Sequence, residues 1–146
     1  MTATLIGIAR KARSRAPMEI LDTVDVSLTH GIDGDCRGKL RKRQITIMTM
    51  EDWQAACAEI DHADLPWTTR RANILVQGIE IPQMPGTQIR IGNLIVEITG
   101  ETDPCRRMEE AAADLEKALR PDWRGGATCR TIQPGTIRIN DPVILL

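Results

Sequence analysis

The stretch Thr99-Gly100-Glu101-Thr102-Asp103-Pro104-Cys105-Arg106-Arg107-Met108-Glu109 carries the residues of this chain best suited to covalent or metal chemistry. Asp103 has the chemistry of a helix N-cap, and Pro104 suits the first helical position, where a missing N–H costs nothing. Met108, Ala111, Ala112, Leu115, Ala118 and Leu119 then recur at helical spacing, which predicts one helix running from Pro104 toward Pro121. Cys105 falls in its first turn, facing unpaired backbone N–H groups, with Arg106 and Arg107 beside it. Such a setting favours the thiolate, the form that attacks, carries sulfur or ligates a metal. A first-turn cysteine that merely packs has the same spacing, so the residues alone leave both readings open.

A second group is the loop His30-Gly31-Ile32-Asp33-Gly34-Asp35-Cys36-Arg37-Gly38, with two carboxylates and a thiol among glycines that let backbone approach a ligand. Arg37, Lys39, Arg41, Lys42 and Arg43 place five cations in seven residues. Arginine forks match phosphate oxygens in pairs, so the run suits a phosphate-bearing ligand; a solvated basic loop has the same composition. Thr69-Arg70-Arg71-Ala72-Asn73 leads into Ile74-Leu75-Val76, where two arginines and an amide at a strand entrance suit an anion or a pterin edge, and equally a solvated strand end. His30 and His62 form no ligand pair. Cys57 lies on an apolar helix face and reads as core, Cys129 as structural. Nothing here matches a serine triad, a phosphate-binding P-loop or a dinucleotide fingerprint.

The elements that position these residues are mostly strands. Alternating or β-branched runs occupy 5–8, 24–28, 44–48, 74–76, 88–91, 94–98, 130–132, 136–139 and 143–146. Gly92-Asn93 between two of them suits a two-residue hairpin turn. Thr49 caps a helix with Asp52 at N3 and Trp53, Ala56, Cys57 and Ile60 on one face. Many short strands with few helices predict a mainly β single domain over 1–146, a closed or partly open barrel with two or three short helices.

With 146 residues, 42% of them hydrophobic, the chain can bury a substantial core. A net charge of −1 and the absence of Phe and Tyr argue against nucleic-acid or membrane-surface binding. The short apolar start and the lack of any long apolar run predict a cytoplasmic protein. Four scattered cysteines with no C-x-x-C pair argue against a disulfide frame and a zinc knuckle.

One ordered set of residues covers nearly the whole sequence. It runs through Gly31-Ile32-Asp33-Gly34-Asp35, Arg43-Gln44-Ile45-Thr46-Ile47, then Arg71 with Asn73 and Gly78. Gly86, Ile91-Gly92, Thr99-Gly100, Pro104-Cys105, Gly125-Gly126 with Arg130, Gly135 and Asp141 follow. The set resembles the MOSC domain, found at the C-terminus of molybdenum cofactor sulfurases and as small stand-alone bacterial proteins. The resemblance implies a barrel-centred fold and a working Cys105 that carries sulfur as a persulfide or ligates the molybdenum of the pterin cofactor. It also implies reduction of N-hydroxylated compounds in members that hold the cofactor (molybdopterin). Gly34 and Asp35 would shape the pocket, Arg71 and Asn73 would contact the ligand, and Arg37, Arg43 and Arg130 complete the candidate cofactor-binding set. Partners implied are a cysteine desulfurase or an electron-transfer protein. The pyridoxal phosphate-binding part of the fused sulfurases has no room in this sequence. A histidine common after the Gly-Asp pair is replaced here by Cys36-Arg37, which leaves Cys36 as a second thiol, passive or resolving a persulfide. The closing element is Asn140-Asp141 instead of Gly-Asp.

Overall fold

Each apolar run read as a strand forms one. The computed structural model describes residues 3–39 and 42–146, so Arg41 of the basic run lies outside the described residues. The strands are β1 (Thr4–Arg10), β2 (Glu19–Leu21), β3 (Thr23–Ser27), β4 (Gly31–Ile32), β5 (Ile45–Thr49), β6 (Ile74–Gln77), β7 (Gln88–Ile91), β8 (Leu94–Glu101), β9 (Ala127–Gln133), β10 (Gly135–Arg138) and β11 (Val143–Leu145). The sequence reading does not anticipate β2 and β4. Both are very short and exist by pairing with β1 and β3. The hairpin at Gly92-Asn93 is present, with Ile91 opposite Leu94.

Eight strands form one sheet in the order β11-β7-β8-β9-β5-β6-β1-β2, and three form a second, β10-β3-β4. The sheets do not close into a barrel, so that part of the expectation is replaced by a mainly β, two-sheet architecture. The isolated bridge of Thr4 with Pro142, flanked by the bonds Leu5 N to Asp141 O and Val143 N to Ala3 O, both at 2.9 Å, links β1 to the segment before β11.

Strand alternation divides the apolar side chains between two cores. Ile45 and Ile47 of β5 and Ile74 and Val76 of β6 face the core between the sheets, with Val24, Val26 and Ile137 from the smaller one. Met48 and Leu75 face the opposite way, under the helices. These central strands are therefore buried on both faces, which explains their continuous apolar runs.

Helix α1 (Met50–Glu59) starts as expected: Thr49 Oγ1 accepts from Asp52 N at 3.1 Å. The helix expected from Pro104 is instead two, α2 (Arg106–Ala111) and α3 (Leu115–Leu119). Ala112 is extended and Asp114 adopts φ 68°, while the Glu109 carboxylate accepts from Asp114 N at 2.8 Å and holds the break. Met108, Ala112, Leu115 and Leu119 stay buried across it, so apolar spacing alone cannot reveal it. The start also differs. Cys105, and not Asp103, is the N-cap residue of α2, in extended backbone. No helix among the described residues is long and apolar enough to cross a membrane.

Candidate functional site

The end of β1 and the starts of β5 and β6, all interior strands, meet at one end of the large sheet. Ile8 and Ile47 both pair with Ile74, and Ala9 N donates to Asn73 O at 2.8 Å. Three loops converge there, and each is tied to the sheet by specific bonds.

The glycine-rich loop is fastened to the end of β1. Lys11 N donates to Asp35 Oδ1 at 3.0 Å, Cys36 N to Lys11 O at 2.9 Å, and Arg37 N to Asp35 Oδ2 at 3.2 Å. Arg10 Nη1 reaches Asp33 O at 2.6 Å, and a side chain at Gly34 (φ 81°) would lie 2.8 Å from that nitrogen. Gly34 thus admits the Arg10 guanidinium; it shapes the loop through Arg10.

The second loop is a 3-10 turn, Trp67–Arg70, that ends at Arg71 with φ 66°. Its place depends on Gly7, where a Cβ would lie 2.7 Å from the Trp67 ring. Arg70, 8% exposed, donates Nε to Gly125 O at 3.0 Å and Nη2 to Thr102 O at 2.9 Å. That guanidinium fastens the third loop, residues 102–105 after β8, to the 3-10 turn and to Gly125 before β9. Asn73 closes the floor: Nδ2 donates to Ala9 O at 3.1 Å, and Oδ1 accepts from Thr46 N at 3.0 Å.

These loops enclose a cavity of about 240 Å³. Its cations are Lys11, Arg37, Arg43, Arg70, Arg71 and Arg107, its carboxylates Asp35 and Asp103, and Cys105 is in its wall. None of the six cations belongs to an ion pair among the described residues. Burial, then Arg37 and Arg71, lowers the Lys11 pKa; burial, then Arg107 and Arg37, lowers that of Arg71. Arg70 is pushed down to about 10, mainly by burial, with Cys105 opposing the shift. Like charges crowd one another here, and a bound anion relieves them. Two buried polar atoms in the wall, Arg71 Nε and Thr102 Oγ1, lack a hydrogen-bond partner among the described residues. Buried polar groups are rarely left so, and a ligand would complete both.

Of the residues singled out in the sequence, Asp35, Arg37, Arg43, Arg71, Asn73 and Cys105 line this cavity. The carboxylate of Asp35 and the amide of Asn73 are taken up by scaffold bonds, so both hold the wall in place. Arg130 does not come to it. On β9, its Nη2 pairs with Glu97 Oε2 at 2.7 Å, and Arg130 is absent from the cavity wall. Lys39 and Lys42 are exposed and also stay outside it. The sequence reading passed over Lys11, and Arg70 entered it only as a neighbour of Arg71. All four thiols are free: Cys36 and Cys105 are exposed, Cys57 and Cys129 buried.

The molecule is thus a mainly β domain with a thiol at the wall of a cationic cavity. The sequence matches the family model described as MOSC domain over residues 28–144, and the chain belongs to that family. Among solved structures it is similar to the YUAD protein from Bacillus subtilis, with 20% identity, a TM-score of 0.79, and coverage of 98% of this chain and 94% of that one. It is also similar to YiiM from Escherichia coli (16% identity, TM-score 0.73, 98% and 69% covered) and YiiM from Geobacillus stearothermophilus (17%, 0.68, 99% and 73%). At such identities the likeness is one of fold. No curated protein sequence matches the chain.

Proposed function

We propose that this cavity holds the molybdenum cofactor, with Cys105 as the protein's ligand to the metal, and that the protein reduces N-hydroxylated compounds. The observation that carries the reading is an exposed thiol sharing one cavity with six cations and two carboxylates, none of the cations in an ion pair among the described residues. The donor set fits such a group. No cluster of three His, Cys, Asp or Glu side chains suited to a metal exists among the described residues, so a metal here needs ligands brought by an organic cofactor. Cys105 supplies the soft donor such a metal takes. The orphaned Arg71 Nε and Thr102 Oγ1 offer hydrogen bonds, and Lys11, Arg37 and Arg43 offer charge to the cofactor's phosphate.

The cofactor supplies a redox metal that exchanges electrons with the substrate. This chain's residues bind and orient it. Arg70 fixes the 102–105 segment and with it the position of Cys105, while Asp35 and Asn73 hold the loops that carry the cations. Electrons reach the site from a partner protein.

The test is the molybdenum and pterin content of protein purified without oxygen from a cofactor-producing host, beside Cys105→Ala. Stoichiometric metal in the wild type, lost in a variant with an unchanged unfolding midpoint, is the expected result. Metal absent from both refutes the reading. The exposure of Cys105 favours one second reading, a sulfur carrier served by a cysteine desulfurase. The Cys105 thiolate then attacks the outer sulfur of the donor persulfide, and the donor thiolate leaves. A mass gain of about 32 Da that depends on Cys105 identifies that chemistry.

A further inference from the structure

Beside the Cys105 cavity lies a second hollow of about 390 Å³, lined by Arg15, Thr69, Arg71, Arg107, Met108 and Glu110 among others. Arg71, Arg107 and Met108 line both spaces, so the two share a wall. The shared residues come from the 3-10 turn and from α2, within three positions of Cys105 on the α2 side. Arg71 Nη2 donates to Ala16 O, which draws the 13–16 turn, and Arg15 with it, against the guanidinium. Arg107, Arg37 and Arg15 all act on Arg71 electrostatically. Arg15, Arg71 and Arg107 form no ion pair among the described residues, and neither does Glu110, the carboxylate in this wall. Arg15 and Arg107 therefore line one open hollow with uncommitted guanidinium groups, and Arg71, fastened to Ala16 O, adds its charge to the wall between them.

We propose that this hollow is a second anion subsite, which takes the phosphate end of a small-molecule substrate whose reactive end lies in the Cys105 cavity. Guanidinium forks bind phosphate oxygens in pairs, and the two open forks of Arg15 and Arg107, with the charge of Arg71 behind them, suit a dianion better than a single carboxylate. Substrates are on this view phosphorylated compounds, and Arg15 is a specificity-determining residue because it serves only the outer space. The assignment rests on the Cys105 cavity being the reacting site, but the subsite itself is testable without any reaction.

The test is a titration of the full chain, without added cofactor, with inorganic phosphate at constant ionic strength, followed residue by residue in ¹⁵N–¹H spectra. Two sites are expected, one moving the amides of Arg15 and Thr69, the other those of Arg43 and Thr46. Arg15→Gln should weaken the outer site by about tenfold, equivalent to about 1.4 kcal/mol, and leave the inner one unchanged. Arg43→Gln should do the reverse. Both side chains are exposed, and an unchanged unfolding midpoint will confirm that each variant folds. Phosphate binding at the inner site alone, or an outer site indifferent to Arg15→Gln, overturns the subsite while the cavity reading stands. No binding at either site overturns both. Acetate bound in the outer hollow as tightly as phosphate overturns the phosphate assignment.

Discussion

Replacing Arg70 with Met should cost the protein about 2–4 kcal/mol and loosen the segment that carries Cys105. The side chain is 8% exposed and donates to two carbonyls from distant parts of the chain, Gly125 O at 3.0 Å and Thr102 O at 2.9 Å. Methionine keeps most of the apolar stem but offers neither carbonyl a donor. A buried carbonyl left unsatisfied costs about 1–3 kcal/mol, and hydrogen bonds from charged donors sit at the upper end of the usual scale. The Gly125 bond is buried and should show its full value, whereas Thr102 O is part-buried and regains some water. Removing a buried charge works the other way. Its desolvation is what drives the Arg70 pKa down to about 10. Taken together the bonds should dominate. With a urea m-value of about 2 kcal/mol/M, the unfolding midpoint falls by roughly 1–2 M. Hydrogen exchange should also quicken at Thr102 and Gly125, whose amides bond to Gly126 O and Leu119 O across the same junction. A midpoint that falls by less than about 0.3 M, or rises, refutes the claim that these bonds outweigh the cost of burying the guanidinium.

Native-state alkylation should modify Cys36 and Cys105 and spare Cys57 and Cys129, because burial raises the Cys57 pKa and pushes that of Cys129 up to about 12. Labelling of Cys129 by mass spectrometry at pH 9, below the unfolding transition, would contradict this. Asp52→Asn should stabilise the protein at pH 7 relative to pH 3, since burial raises the Asp52 carboxyl above its ordinary value. The folded state then holds a proton that the unfolded chain releases, so this group's penalty grows as pH rises from the ordinary carboxylate range through the raised pKa. A midpoint difference between variant and wild type that is flat across pH 3–7 would remove that cause. Asn73→Asp should weaken phosphate binding and lower stability together, because it sets a carboxylate against Ala9 O inside the cationic cavity. Calorimetry beside urea unfolding checks both; unaltered phosphate affinity would remove Asn73 from the wall's electrostatics.

Local signals in the sequence reach as far as local physics does. The β7–β8 hairpin and the Thr49 cap follow from nearest neighbours, and both are legible. The ordered motifs also put Asp35, Arg43, Arg71, Asn73 and Cys105 on one list, the basic run adds Arg37, and the fold brings these six to one cavity. Lys11 and Arg70 were out of reach for a different reason. The Lys11 backbone N meets the Asp35 carboxylate across 24 residues and the Arg70 side chain meets Gly125 O across 55, and no periodicity marks a bond between a side chain and a distant backbone atom. The break between α2 and α3 hides because the buried face continues through it, and only the Glu109 carboxylate on Asp114 N distinguishes the two helices. Arg130 illustrates the opposite failure. Its place in the ordered motif is met, but its side chain faces Glu97 from the neighbouring strand.

The residues around the cavity divide by what their polar atoms already do. Asp35, Asn73 and Arg70 have their carboxylate oxygens, amide or guanidinium bonded to the backbones of other loops, so they hold three segments in register. Among the described residues Lys11, Arg37, Arg43 and Arg107 belong to no ion pair, and Arg71 keeps one buried nitrogen unpaired. A protein gains nothing in stability by gathering unneutralised cations, because each raises the cost of charging the next, as the lowered Lys11 and Arg71 pKa values record. The scaffold bonds hold that repulsion in place. An arrangement that opposes its own stability at one end of the sheet, yet is fastened there by three committed side chains, is the arrangement of a binding site. Cys105 stands at its wall with an exposed sulfur, so an anion bound among these cations would lie in the same cavity as the thiol.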